Sequence, residues 1–175
     1  MICDFDLDFL KDALAIVDQR LNLLDKKAKD SPDPDSFGVF DKLEYISGFG
    51  FVACQTYLTA TYSRSDLTKK SSLDLGPKHR SGETFASLTN ACANHWKHSF
   101  EWESKPLKND AKHTIASIES LDISISDSYP IANALYELTA PKPRRFASVL
   151  PFLIQWRDSI TYNKRMKPTT NTCAI

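Results

Sequence analysis

The densest cluster of reactive side chains in the sequence is Cys92-Ala93-Asn94-His95-Trp96-Lys97-His98, followed by Glu101-Trp102-Glu103. Histidine titrates near neutrality, so a neutral His98 imidazole can take a proton from a ribose 2′-hydroxyl or return one to a leaving oxygen. Asn94 lies one helical turn away and can orient the imidazole or a substrate. Lys97 can set a positive charge beside a phosphate. Asn94, His98 and Lys97 are therefore the candidate catalytic residues, with His95, Arg80 and Trp102 as candidate binding residues. The pattern also has a plain structural explanation, because any amphipathic helix carries polar residues opposite its core stripe.

Cys92-x-x-His95-x-x-His98 also places three potential metal ligands in order, with His79 and His113 available from elsewhere. Cys92 and His98 are about 120° apart on a helical wheel, which makes three ligands from one helix awkward. No second cysteine pair is present to close a tetrahedron. A small helical metal-binding protein thus stands as an alternative, but no metal site is assigned and no cofactor is implied. Phosphate-binding glycine loops, G-x-S-x-G, H-E-x-x-H and calcium loops are absent from the sequence.

The element that must position these residues is a helix expected over 82–104, with Ser81 as N-cap and Glu83 in its first turn. Phe85, Leu88, Cys92, Trp96, Ser99 and Glu103 share one sector of the wheel. Asn94, Lys97, His98 and Glu101 fall opposite, while His95 and Trp102 lie on a flank. Upstream, Phe9, Leu10, Ala13, Leu14, Val17, Leu21 and Leu24 predict a helix over 4–29, ended by Pro32 and Pro34.

Residues 37–63 fit either one helix or a hairpin turning at Ser47–Gly50. About 25 residues without proline suit one buried helix better than two very long strands, and Gly48 and Gly50 would then mark close approach by a neighbouring helix. Residues 64–80 are polar and aperiodic. Further helices are expected from an Asn109/Asp110 cap to about Leu121, from Pro130 to Leu138, and over 144–163 with a kink or restart at Pro151. Residues 164–175 read as a polar, disordered tail. The fold class is all-α, a single-domain bundle of five or six helices over residues 1–163.

The 175 residues suit one domain. Twenty-two Lys+Arg balance 22 Asp+Glu, which removes a large basic field and with it non-specific binding to polyanions. Five glycines disfavour turn-dense β folds. The acidic start, Met1 to Asp8, lacks the features of a secretory signal, and the longest mainly apolar run, Phe146 to Ile154, is far shorter than a membrane span. The four cysteines have no pairing pattern and read as free thiols. A cytoplasmic protein without membrane contact is the expectation. The basic groups Lys69-Lys70, Lys78-His79-Arg80, Lys142/Arg144-Arg145 and Lys164-Arg165 are scattered, and would make a phosphate-binding patch only if 64–80 met 142–145 in space.

Ala93-Asn94-His95-Trp96-Lys97-His98 resembles the motif of the HEPN superfamily, all-α domains common in prokaryotic toxin–antitoxin, phage-defence and RNA-processing systems. That motif is an arginine, usually followed by a polar residue, with a histidine four to six residues after the arginine. Asn94 matches the polar position and His98 the histidine; Ala93 stands where the arginine would be. The match covers these six residues and, loosely, the layout of long helices over about residues 1–104. In catalytic members the Arg and His perform metal-independent RNA cleavage across a homodimer. The resemblance therefore implies a bacterial defence, stress or RNA-related setting and a homodimer. It leaves two functions: a non-catalytic module binding a protein or RNA, or a metal-independent endoribonuclease in which Lys97 or Arg80 replaces the missing arginine.

Overall fold

A computed structural model describes residues 4–102 and 106–166, the side chains of 163–166 excepted. Among the described residues there are seven helices and no strand: α1 (Phe5–Asp30), α2 (Val39–Tyr62), α3 (Lys69–Leu73), α4 (Phe85–Trp102), α5 (Asn109–Glu119), α6 (Pro130–Thr139) and α7 (Phe146–Met166). The all-α reading holds. The helix beyond the expected six is α3, only five residues long and too short to show periodicity.

Helix α1 begins where the Asp4 carboxylate accepts the Leu7 N–H at 3.0 Å. Asp6 and Asp8 in its first turn and Lys27 and Lys29 in its last complement the helix dipole. It buries Leu7, Leu10, Leu14, Leu21 and Leu24 against the rest of the bundle.

Residues 39–62 form one helix rather than a hairpin. The physical reason is contact at its two glycines. The Trp96 ring of α4 occupies the space a Gly48 side chain would need, and the Phe146 ring of α7 does the same at Gly50. Each glycine costs about 1 kcal/mol of helix propensity, offset here by the close approach it allows.

Helix α4 starts at Phe85, three residues later than expected, and Ser81 is not its cap. Residues 78–84 first make a tight turn in which Lys78 and Thr84 are bridged. His79 N–H donates to the Glu83 carbonyl at 2.8 Å, and Gly82 takes a φ of +92°. Only then does Thr84 Oγ1 accept the Ser87 N–H, at 3.0 Å, and open the helix. Helix α5 likewise begins after Lys108, without a side-chain cap, and Asp110 sits in its first turn. Pro130 opens α6 as expected. Helix α7 runs through Pro151 without restarting and extends to Met166, three residues past the expected domain boundary. The polar tail beyond it lies outside the described residues, as does Glu103 of the expected core sector.

Two carboxylates, one on α1 and one on α2, each cap the start of another helix. Asp18 of α1 accepts the Phe146 and Ala147 N–H groups at 2.8 and 2.9 Å, and Glu44 of α2 accepts those of Ile131 and Ala132 at 3.0 and 2.7 Å. Burial pushes the Glu44 pKa up, against the two N–H bonds that hold it down. Helix α2 is central, packing on α1, α4, α6 and α7, while α5 packs on α4. The core is apolar and rich in aromatic rings. Phe51 meets Phe146 edge-on at 5.0 Å, Phe85 stacks on Phe152 at 3.8 Å, and buried Trp156 donates its indole N–H to the Ser72 carbonyl at 2.7 Å. Among the described residues no helix is long and apolar enough to cross a membrane.

Candidate functional site: the groove between α4 and α5

Helix α4 turns two kinds of residue to its neighbours. Phe85, Leu88, Cys92 and His95 are buried toward the core. Asn90, Asn94 and His98 face a polar groove closed by α5 on the other wall and by α3 at one end. The groove has two adjoining parts that share Asn94, Asp110 and Thr114. One, of about 670 Å³, runs past Lys69, Lys70, Asn90 and His113. The other, of about 320 Å³, runs past His98, Trp102 and Lys108.

The α2 side of this wall is held by a hydrogen-bonded chain centred on Gln55. Its amide nitrogen donates to Asn90 Oδ1 at 2.9 Å and to Asn94 Oδ1 at 2.8 Å. Its amide oxygen accepts from Lys97 Nζ at 2.6 Å. Both amide groups of Gln55 are therefore engaged, and Asn94 keeps its own amide N–H for a ligand. Burial holds the Lys97 ammonium below its ordinary pKa, and the positive charge of Lys69 pushes it further the same way. Neither lysine forms an ion pair among the described residues. Asp74, Glu83 and Asp110 also line the groove, so its charge is mixed.

His98 is half-exposed, with Nδ1 3.3 Å from Glu101 Oε1. Asn94 takes Gln55 rather than His98 as its partner. His95 is buried, its Nδ1 has no hydrogen-bond partner, and its ring meets Trp102 edge-on at 5.8 Å. Burial lowers the His95 pKa.

The structure thus brings Asn94, His98 and Trp102 onto one groove, with Lys97 beside it and His95 behind it. Arg80 does not join them. It pairs with Glu137 of α6 and lines a separate groove with Phe85 and Pro141. The 64–80 and 142–145 segments meet in that groove, where His79, Arg80 and Lys142 share the lining with Glu137. Lys69 and Lys70 face the α4–α5 groove, whereas Arg144 and Arg145 are tied to Asp25 of α1 at 2.7 and 2.8 Å.

Cys92, the first residue of the metal-ligand pattern, is fully buried, and desolvation pushes its thiol pKa up. No group of three or more metal-ligating side chains occurs among the described residues.

Sequence reasoning missed Gln55 and Asn90, and it named His113 only as a spare metal ligand. Gln55 carried a signal, as the one amide side chain of α2, set between buried Cys54 and Tyr57. The chain matches no family model, and no curated protein or solved structure is significantly similar to it.

Proposed function

We propose that this chain is a HEPN-like helical domain that binds single-stranded RNA, without cleaving it, in the groove between α4 and α5. The observation that carries this reading is the pair Lys69 and Lys97. Lys69 lines the groove, its positive charge adds to burial in lowering the Lys97 pKa, and neither lysine is paired to a carboxylate among the described residues. An anionic ligand offsets these charges, and the amide N–H groups of Asn90 and Asn94, which line the same groove, can donate to base edges. Asp74, Glu83 and Asp110 make the groove a poor trap for bulk polyanion. They favour a ligand that alternates phosphates with neutral bases.

A second reading rests on the His98–Glu101 contact. A carboxylate 3.3 Å from one ring nitrogen orients the imidazole for proton transfer, as a metal-independent endoribonuclease would need. It lacks a cation aimed at the same point, since Lys97 is held by Gln55 and Arg80 by Glu137.

Single-stranded RNA incubated with the protein in excess EDTA distinguishes the two. Binding by fluorescence anisotropy with no loss of full-length RNA is the expected result. Cleavage that survives EDTA and disappears in His98→Ala favours the endoribonuclease instead.

A further inference from the structure

The turn at 78–84, the end of α6 and the first half of α7 enclose a groove of about 260 Å³, lined by residues distinct from those of the α4–α5 groove. Its floor is apolar and flat. Phe85 and Phe152 stack there with ring planes 11° apart. Phe85 is buried, whereas Phe152 is half-buried and lines the groove with Leu138 and Pro141. One wall is held in place by His79. Its ring meets Phe85 edge-on at 5.7 Å, its Nδ1 accepts the Ser81 N–H at 3.2 Å, and it also bonds to the Glu137 backbone carbonyl. The imidazole therefore uses both nitrogens to join the turn to α6, so the groove is pre-formed.

The rim is charged. Arg80 directs one guanidinium N–H at the Glu137 carboxylate, which leaves its other donors open to a ligand. Lys142 is exposed and has no ion-pair partner among the described residues. Burial and the neighbouring Arg80 charge lower the His79 pKa, so the imidazole adds no charge at neutral pH. Two cations against one carboxylate leave a single surplus positive charge above an aromatic floor.

We propose that this groove binds a small aromatic monocarboxylate. The ligand ring lies against Phe152 and extends the Phe85–Phe152 stack. Its carboxylate sits at the rim between Lys142 and Arg80, where both bonds are charge-assisted. The groove is smaller than the roughly 300–1,000 Å³ of pockets for drug-sized molecules, which limits the ligand to a single ring system. Charge selects the anion. One surplus positive charge matches a carboxylate, whereas a phosphate monoester, carrying about −1.5 to −2, would be repelled by Glu137.

Titration of the full, isotope-labelled chain with benzoate, followed by two-dimensional NMR, tests this. Amide shifts should centre on the 78–84 turn, Leu138, Lys142 and Phe152. Lys142→Ala should weaken benzoate by about tenfold, the loss of one charge-assisted contact, with RNA binding in the α4–α5 groove unchanged. Glu137→Gln should tighten it several-fold by releasing Arg80 to the ligand. Benzyl alcohol keeps the ring without the charge and acetate keeps the charge without the ring, so each should bind about tenfold more weakly than benzoate or worse. Shifts that are absent, or centred on other residues, overturn the proposal. So does benzoate affinity indifferent to Lys142→Ala or no tighter in Glu137→Gln, benzyl alcohol or acetate binding as well as benzoate, or phenyl phosphate binding better.

Discussion

Helices α2 and α4 meet along two stretches built in opposite ways. Around Gly48 the contact is apolar: the Trp96 ring lies on the bare backbone, with Tyr45 and Phe49 edge-on or tilted against it at 6.1 and 5.1 Å. Two turns further along α2 the contact is polar, with Gln55 joining Asn90, Asn94 and Lys97. The apolar stretch sets how closely the helices approach, and any ring of the right shape would serve there. The polar stretch adds little to stability, because intramolecular hydrogen bonds replace bonds to water at a net gain of about 1 kcal/mol each. It does fix where an ammonium and two amides stand at the edge of a groove.

Breaking the apolar side should give the largest effects. Gly50→Ala drives a methyl into the Phe146 ring, which is fully buried and cannot move aside. We expect a loss of about 1–3 kcal/mol, typical of overpacking, as a lower midpoint in urea. Gly48→Ala should cost less, because the half-buried Trp96 can shift toward solvent. Equal losses at the two positions would show that the rings are not what the glycines accommodate.

On the polar side, Gln55→Leu removes three hydrogen bonds but buries more apolar surface, so it should lower stability by about 1–2 kcal/mol and weaken RNA binding far more than that loss suggests, by freeing Lys97 and both asparagines from their fixed positions. If it leaves affinity unchanged, the amide chain is only packing.

The smallest effect concerns acid. Burial holds the His95 pKa below its ordinary 6.5, and burial with the neighbouring Arg80 charge does the same to His79. The unfolded chain therefore binds these protons more readily than the folded one, so stability is full above about pH 6.5 and declines as the pH falls below it. In His95→Phe, thermal melts between pH 7 and pH 5 should show a shallower decline, since one of the two contributing groups is gone.

The sequence made the elements legible wherever apolar residues recur over several turns, as in α1 and α4. Boundaries were less so. Thr84 rather than Ser81 caps α4 because a bridged turn at 78–84 intervenes, and cross-strand closure of that kind leaves no periodic signal. The polar face of α4 was legible as Asn94, Lys97 and His98 on one side of a wheel. Its partners were not, because Gln55, Lys69 and His113 reach the groove from three other helices. Arg80 was misplaced for the same reason, as nothing local announces its pairing with Glu137.

The central claim is that paired lysines beside an amide-lined groove hold RNA. A titration of fluorescent single-stranded RNA at several salt concentrations, with wild type and with Lys69→Ala, tests it most directly. The account predicts salt-dependent binding whose slope falls by about one on removing Lys69, and a Lys97 ammonium whose pKa rises when RNA is bound. Binding with the same affinity and salt slope in both proteins, or no binding at low salt, would contradict it.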